Sequence, residues 1–139
     1  MLKNTRIIQL PCYSDNTGNL VPIEALDTIP FRLKRVYYIF GTSTGAHRGF
    51  HAHIALEQLL ICVSGSVTIL VKNPQQEEEI LLDTPTKGLY IGPYVWREMY
   101  NFSEDAVLLV LANHHYNEKD YIRIYKEYER MAQEYFQNN

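Results

Sequence analysis

Short apolar runs alternate with clusters of turn-forming residues over most of this chain. The runs are rich in Val, Ile, Leu and Tyr, which is typical of β-strands bounded by turns. The predicted strands are 5–10, 19–25, 32–40, 50–53, 56–63, 66–72, 78–82, 88–91, 95–99 and 105–112. Because no regular alternation of strands with helices is visible, the pattern predicts an all-β barrel or sandwich rather than a dinucleotide-binding fold.

The C-terminal segment has a different period. Its apolar and aromatic residues are spaced by three and four positions, which places them on one face of a helix. These residues are Tyr121, Tyr125, Tyr128, Ala132 and Tyr135. We therefore predict a helix over 118–136 that starts after Asn117 as its cap and lies on the barrel or on a partner subunit.

Composition and charge narrow the function classes. The formal net charge is −3 with no basic block, which argues against a nucleic-acid surface. No apolar run approaches the ~20 residues that cross a bilayer, and the N-terminus has no cleavage signal, so we expect a cytoplasmic protein without a membrane partner. Cys12 and Cys62 are not in a C-x-x-C pair, and we expect neither a structural disulfide nor a zinc site.

The segment around two histidines carries the candidate chemistry. His51 and His53 are two positions apart on a predicted strand, so both side chains project to the same face, and Glu57 returns nearby. Two imidazoles and a carboxylate in one space can bind a metal or move protons. Strict alternation points Arg48 away from this face, unless Gly49 permits a local bend.

This spacing resembles the first motif of the cupin superfamily, which is G-x5-H-x-H-x3,4-E-x6-G. It starts here at Gly45, and Gly65 falls one residue late. The second cupin motif is only partly present, with Glu98 at the position of its metal-binding histidine and Arg97 before it. Since Arg97 adds positive charge that repels a divalent cation, we predict a site that holds no metal.

The whole chain more closely resembles the nucleotide-sugar 3,4-ketoisomerases of the cupin superfamily, which act on dTDP-4-keto-6-deoxyglucose. The resemblance is carried in matching order by 34–40 (KRVYYIF), 48–53 (RGFHAH), 56–58 (LEQ), 88–93 (GLYIGP), 95–99 (VWREM) and 120–123 (DYIR). It implies one cupin domain over 1–139, a jelly-roll barrel with a C-terminal helix.

The resemblance also implies a reaction. A dTDP-linked 4-keto-6-deoxyhexose would have its carbonyl moved from C4 to C3 through an enediolate, without a cofactor, to supply deoxyamino-sugar synthesis. His51 is the predicted base and His53 the partner that shuttles or donates the proton, with Tyr37 as a hydrogen-bond donor to a sugar oxygen. Family likeness further implies a homodimer that exchanges its N-terminal strand, 5–10.

Substrate-binding roles are assigned to six other residues. Guanidinium groups make paired hydrogen bonds to phosphate oxygens, so Arg35 and Arg48 are expected at the diphosphate. Tyr38 or Trp96 is expected to stack on the thymine ring. Glu57 and Arg97 complete the predicted substrate-binding set.

Three alternatives remain open. The 3,5-epimerases of deoxysugar pathways share the R-G-x-H segment at Arg48 and are also metal-free. A metal-dependent cupin would keep His51, His53 and Glu57 as ligands and recruit a fourth group. A non-catalytic sugar- or nucleotide-binding cupin would keep the arginines without turnover. The sequence does not decide which histidine acts on C3, nor whether the product has gluco or galacto configuration.

Overall fold

The apolar runs form antiparallel strands in the computed structural model, which describes every residue from Met1 to Asn139. The strands are β1 (Thr5–Gln9), β2 (Tyr13–Asp15), β3 (Gly18–Leu20), β4 (Arg35–Phe40), β5 (Arg48–His53), β6 (Gln58–Ser64), β7 (Val67–Lys72), β8 (Glu77–Leu82), β9 (Lys87–Ile91), β10 (Trp96–Tyr100), β11 (Val107–Ala112) and β12 (Tyr121–Ile122). A 3-10 turn, Glu118–Asp120, precedes β12, and one helix, α1 (Tyr125–Asn138), ends the chain.

The strands build two five-stranded sheets and one hairpin. The first sheet has the order β1-β9-β6-β11-β4, the second has the order β12-β5-β10-β7-β8, and β2 pairs with β3. Alternate residues of both sheets, such as Leu60, Ile69 and Leu108, meet in one buried core. The predicted jelly-roll with a C-terminal helix is confirmed, with two facing sheets rather than one closed ladder.

The outer faces of the two sheets are covered differently. Segment 21–31 lies over the first sheet, where Ile29 and Phe31 pack on Ile61. Helix α1 lies over the second sheet, where Tyr128 packs on Trp96. The Tyr128 hydroxyl is 3.0 Å from the Lys72 carbonyl oxygen and 2.9 Å from that of Tyr94, which ties the helix to the sheet.

The predicted start of the helix is wrong. The Asn117 side chain caps the 3-10 turn, because its oxygen accepts a hydrogen bond from the Lys119 amide N–H. The chain then extends as β12 before α1 begins at Tyr125. Tyr121 fits the helical stripe, but its backbone pairs instead with His53 of β5. Tertiary pairing thus outweighs the local periodicity at this point.

One other sequence expectation changes. The strand predicted over 19–25 is limited to the exposed hairpin strand β3. Strand β1 pairs with β9, from Thr5 opposite Ile91 to Gln9 opposite Lys87, and its exchange with a partner subunit stays a prediction. No helix of the structure combines the length and the apolar character needed to span a bilayer.

A β-bulge lies at the start of the histidine strand. Arg97 of β10 pairs with His51, but the next residue, Glu98, pairs with Gly49, so Phe50 is the extra residue. Gly49 has φ +92° and Phe50 has φ +58°, and both values lie in the left-handed region. A bulge bends its strand and changes the side-chain alternation beyond it.

We expect Gly49→Ala to destabilise the fold at this bulge. A Cβ at Gly49 would lie 2.9 Å from the Arg97 carbonyl oxygen, and the left-handed backbone adds strain. Together these effects should lower the free energy of unfolding by about 2–3 kcal/mol, as measured by urea denaturation. Gly45→Ala is the matched control, since Gly45 has φ +78° but no atom within 4 Å of the added Cβ. Equal losses in both variants would show that contact with β10 plays no part.

Candidate active site

Strands β4, β5, β6 and β10 direct a set of polar side chains into one end of the core. His51 and His53 come from β5, Tyr37 from β4, Gln58 from β6 and Arg97 from β10. Because Arg97 pairs with His51 across the ladder, their side chains lie on the same inner face. The predicted meeting of His51, His53 and Tyr37 at one site agrees with this arrangement.

The two imidazoles lie edge to face with ring centroids 4.9 Å apart. The His53 side chain is only 1% exposed, and its Nδ1 is 3.1 Å from Oδ2 of Asp120. Nε2 of His53 and Nδ1 of His51 are buried and have no hydrogen-bond partner in the protein. Buried polar atoms of this kind need a partner, and a bound substrate can supply one.

Both histidines are neutral at neutral pH. Burial, and next the positive charge of Arg97, lowers the pKa of His51 from 6.5 to about 3. The same two causes, in the same order, lower the pKa of His53 well below its usual value. Each ring therefore has one nitrogen that bears hydrogen and one that can accept a proton.

A chain of hydrogen bonds underlies the histidines. Arg97 is fully buried, and its Nη1 donates to Oε1 of Gln58 at 2.6 Å, while Nε and Nη2 lie 3.3 Å from the Val95 carbonyl oxygen. Nε2 of Gln58 donates to the Tyr37 hydroxyl at 3.1 Å. Since Tyr37 accepts this bond, its own O–H remains free to donate into the site.

Arg97 keeps its charge in this environment. Burial lowers its pKa from 12.5 to about 10, which leaves the guanidinium protonated at neutral pH. Burial also raises the pKa of Tyr37, so its hydroxyl stays protonated. The predicted direct contact of Arg97 with substrate is not supported, because the side chain has no exposed surface and is held by Gln58 and Val95.

Arginines surround the mouth of the site. Two cavities of about 240 and 370 Å³ lie beside the histidines, and Arg35 and Tyr121 line both of them. His53 lines the smaller cavity, and Arg48 lines the larger one. The bulge provides the bend that Arg48 requires, because it brings Arg48 opposite the inward-facing Met99.

Arg35 is held between two aromatic rings. Its guanidinium carbon is 5.3 Å from the ring centroid of Tyr37 and 5.8 Å from that of Tyr116. Its Nε is buried and has no hydrogen-bond partner in the protein. A guanidinium that is fixed by stacking and still has a free N–H is well suited to bind a phosphate oxygen.

Three predicted substrate-binding residues lie elsewhere. Trp96 is 3% exposed beneath α1, and its indole N–H donates to Glu98. Tyr38 is 62% exposed on the outer face of β4, because strand alternation turns it away from the side of Tyr37. The Glu57 carboxylate accepts hydrogen bonds from Tyr90 and Asn113 instead of joining the histidines.

The position of Glu57, away from the histidines, does not match the metal-dependent alternative. That alternative requires the Glu57 carboxylate beside His51 and His53, and the structure has no cluster of three or more His, Cys, Asp or Glu side chains arranged to hold a metal ion. The carboxylate that does contact one of these histidines is Asp120, at Nδ1 of His53, and the other polar groups nearby are the cationic Arg97 and the neutral Gln58 and Tyr37.

Sequence reasoning assigned no role to Gln58, Asp120 or Tyr121. The Tyr121 ring centroid is 4.9 Å from that of His51 and 4.3 Å from that of His53, and the guanidinium carbon of Arg123 lies over the Tyr121 ring at 4.1 Å from its centroid. All three residues belong to segments that carry the family resemblance. Sequence reasoning missed Asp120 and Tyr121 because both fall within the helix predicted over 118–136.

Comparison with known proteins gives consistent matches. A family model described as "FdtA: WxcM-like, C-terminal" matches residues 3–133. A TDP-4-oxo-6-deoxy-alpha-D-glucose-3,4-oxoisomerase from Aneurinibacillus thermoaerophilus is 47% identical over 125 residues, which is 90% of each chain. These matches cover the histidine strand and the 3-10 turn alike.

Solved structures agree along nearly the whole chain. QdtA, a sugar 3,4-ketoisomerase from Thermoanaerobacterium thermosaccharolyticum in complex with TDP, has a TM-score of 0.96 at 49% identity, covering 98% of this chain and 99% of that chain. A mutant of QdtA in complex with TDP-4-keto-6-deoxyglucose has a TM-score of 0.94 at 48% identity, covering 96% and 97%.

The low histidine pKa values predict how stability depends on pH. In the unfolded chain each imidazole has a pKa near 6.5, whereas the pKa of His51 in the folded chain is about 3. Between these values the unfolded chain binds more protons, so the free energy of unfolding falls as the pH falls, by at most about 1.4 kcal/mol per pH unit for each histidine. Urea denaturation from about pH 7 to pH 5 measures this slope.

Replacing a site histidine should make that slope shallower. His51→Asn removes one proton-binding group of the unfolded chain, and His115→Asn, which removes an exposed imidazole, is the matched control for histidine content. An unchanged slope in His51→Asn would contradict the lowered pKa.

Proposed function

The chain belongs to the FdtA family of WxcM-like domains, and from that premise we propose that it is a TDP-4-keto-6-deoxyglucose 3,4-ketoisomerase that works by histidine acid–base catalysis. The observation that carries the proposal is the pair of buried, neutral imidazoles, each with a ring nitrogen that has no protein partner. Groups of this kind can take and return protons within one enclosed site.

The reaction requires two proton movements on neighbouring atoms. The C3 proton, acidified by the C4 ketone, passes to a base while the C4 oxygen gains a proton, which gives an enediol. The C3 hydroxyl then loses its proton, C4 gains one, and the carbonyl is at C3. The sum is an exchange of protons with no net oxidation, so the reaction needs no redox cofactor.

His51 and His53 provide the groups for these transfers. Both are uncharged before substrate binds, so either can accept the first proton without first losing one. Their ring centroids are 4.9 Å apart, a spacing at which both can reach adjacent atoms of one hexose. We assign His51 as the C3 base and His53 as the partner that shuttles or donates the proton.

The developing oxyanion is stabilised by positive charge and hydrogen bonds. Tyr37 has a free O–H because it accepts a bond from Gln58, and the fully buried charge of Arg97 lies behind both. In a buried site such fixed groups stabilise the transition state strongly, because they do not need to reorganise. Arg97 thus acts through its field and through Gln58 rather than by touching the sugar.

The diphosphate of the nucleotide is bound by arginines at the mouth. Arg35 and Arg48 line the larger cavity together with Arg123, and Arg35 also lines the smaller cavity beside His53. Paired N–H groups match the geometry of phosphate oxygens. QdtA, crystallised with TDP, is the supporting relative for this ligand class.

We expect His51→Asn and His53→Asn each to lower turnover by roughly 100-fold or more, because each removes a general acid–base group. Incubation with TDP-4-keto-6-deoxyglucose, followed by NMR of the sugar, measures the conversion to the 3-keto isomer. His47→Asn, which alters an exposed histidine that lines neither cavity, is the control for an equivalent substitution outside the site.

Two outcomes of this experiment would contradict the proposal. The first is a wild-type rate in both site variants. The second is deuterium incorporation at C5 in D₂O with the ketone retained at C4, which would identify a 3,5-epimerase. Binding of substrate with no isomerisation by the unmodified protein would instead indicate a non-catalytic module.

We further propose that the protein is a homodimer that pairs through the outer face of its first sheet. Val36, Tyr38 and Phe40 all project from that face of β4, and Phe40 is 67% exposed. Strand β4 is at the edge of its sheet, where one side of the backbone has no strand partner. An exposed apolar strip on an edge strand fits a second copy of the same strip across a twofold axis.

An apolar groove continues this surface. It has a volume of about 470 Å³ and lies between the hairpin and the sheet, where Val21, Ile61 and Leu109 line it. Leu109 is opposite Tyr38 in the ladder, so groove and strip form one surface. Their continuity supports a broad interface rather than a single contact.

We expect Phe40→Asp to weaken the dimer, because a buried unpaired carboxylate at an apolar interface is strongly unfavourable. Light scattering on the purified protein should give twice the 16.2 kDa chain mass for the unmodified protein and a lower mass for the variant. Leu81→Asp, at an exposed position on β8 of the other sheet, is the control. A monomeric mass for the unmodified protein would refute the proposed dimer.

A further inference from the structure

Asp120 lies behind His53, on the side of the ring away from the free nitrogen. Its Oδ2 is 3.1 Å from Nδ1 of His53. The amide N–H of Ala55 donates to Oδ1 at 2.9 Å, and that of Leu56 donates to Oδ2 at 3.3 Å. Three contacts fix the plane of the carboxylate, so its orientation toward His53 does not depend on substrate.

This contact determines which nitrogen of His53 bears the hydrogen. A carboxylate only accepts hydrogen bonds, so Nδ1 must be the N–H that donates to Asp120. The neutral ring then has its lone pair on Nε2, which is buried and has no protein partner. The lone pair is therefore available to a substrate proton.

We propose that Asp120 is a positioning residue that fixes His53 in the Nδ1–H tautomer and so makes Nε2 its proton acceptor, an inference that rests on the proposed isomerase function. When the C3 hydroxyl of the enediol loses its proton, that proton binds Nε2 of His53, and Nδ1–H remains hydrogen-bonded to the carboxylate. The imidazolium that forms lies 3.1 Å from the Asp120 carboxylate.

The neighbouring charges explain why this carboxylate is needed. Arg97, Arg35 and Arg123 all disfavour a positive charge on His53, and so does a protonated His51. Asp120 is the carboxylate in direct contact with the ring, and its attraction for the imidazolium opposes these repulsions. Without it, His53 could take up a proton only at a much higher free-energy cost.

The substitution Asp120→Asn tests this role because the shorter backbone contact favours one orientation of the amide. The Ala55 N–H is 2.9 Å from Oδ1, whereas the Leu56 N–H is 3.3 Å from Oδ2, so the amide oxygen takes the position of Oδ1 and the NH₂ group faces Nδ1 of His53. An NH₂ group donates, so Nδ1 must accept and the hydrogen moves to Nε2. The variant therefore reverses the tautomer while conserving the shape of the side chain.

Long-range ¹H–¹⁵N correlation spectra of histidine-labelled protein, taken without substrate, report the tautomer directly. We expect Nδ1–H for His53 in the unmodified protein and Nε2–H in Asp120→Asn, with His53→Asn used to assign the signal. Asp105→Asn is the matched control, since Asp105 accepts a hydrogen bond from Ser103 in a turn between β10 and β11. Its spectrum at His53 should equal that of the unmodified protein.

Kinetics give the second readout. Asp120→Asn should lower kcat by roughly 100-fold with KM unchanged, because the proton acceptor is lost while the substrate-binding groups stay. In a His53→Asn background the same change should cause no further loss, since two residues acting as one unit are not additive.

Either of two results would overturn the positioning role. One is an unchanged His53 tautomer in Asp120→Asn. The other is an equal loss of kcat with and without His53, which would mean that Asp120 supports the fold alone. A reversed tautomer in a protein that shows no isomerase activity would uphold the positioning of His53 and refute the proposed function, so the two failures are distinguishable.

Discussion

A positive charge buried without a carboxylate partner is the interaction on which the site depends. Arg97 has no exposed surface, and its hydrogen bonds go to the neutral Gln58 amide and to a backbone carbonyl. Burying such a charge costs several kcal/mol even after relaxation. Burial and then the field of Arg97 keep both histidines in the neutral form that accepts protons, and in the proposed reaction the same field would favour the anionic enediolate that forms when a proton leaves carbon.

Strand pairing fixes the position of this charge relative to the histidines. Arg97 is on β10, which is flanked by β5 and β7 on both sides, so its backbone position is determined by two ladders. His51 is directly opposite Arg97, and the bulge at Gly49 and Phe50 turns the strand so that Arg48 reaches the mouth. Groups on paired strands keep their separation better than groups on loops, which suits a reaction that needs two imidazoles at adjacent atoms.

Much of this arrangement follows from the alternation of side chains along a strand. The rule that residues two apart share a face places His51 with His53 without further information. The same rule says that only one of Tyr37 and Tyr38 points inward, but not which one, because both are aromatic and both suit a strand. The choice depends on packing, which brings Tyr37 to Gln58 and leaves Tyr38 beside Phe40 on the outer face.

The positions of several other residues could not be predicted from the sequence, and each has a physical reason. A tryptophan is expected to face the core and an arginine the solvent, but Trp96 and Arg97 do the opposite. Helix α1 covers Trp96 on the outer face of the sheet, and Gln58 accepts a hydrogen bond from Arg97 on the inner face. Tyr121 fits a helical stripe, and Asp120 falls within the helix predicted from it, yet the chain forms a 3-10 turn at Asp120 and pairs with β5 at Tyr121. Glu57 matched a motif spacing, but Tyr90 and Asn113 offer it two donors away from the histidines.

The distribution of charge explains how an acidic chain can suit an anionic ligand. The net charge of −3 describes the whole surface, whereas Arg35, Arg48 and Arg123 line one cavity, and Lys34 lines the next. At physiological ionic strength charges are screened beyond about 8 Å, so a diphosphate at this mouth would interact with these local cations, of which Arg123 is paired with Glu118, and hardly with distant carboxylates. The interior is organised on the same principle, because Arg97 is close to both histidines while their carboxylate neighbour Asp120 contacts only one. The two rings thus experience different fields although they share one strand, and in the proposed mechanism this asymmetry lets two chemically identical side chains take different parts in moving a proton between C3 and C4.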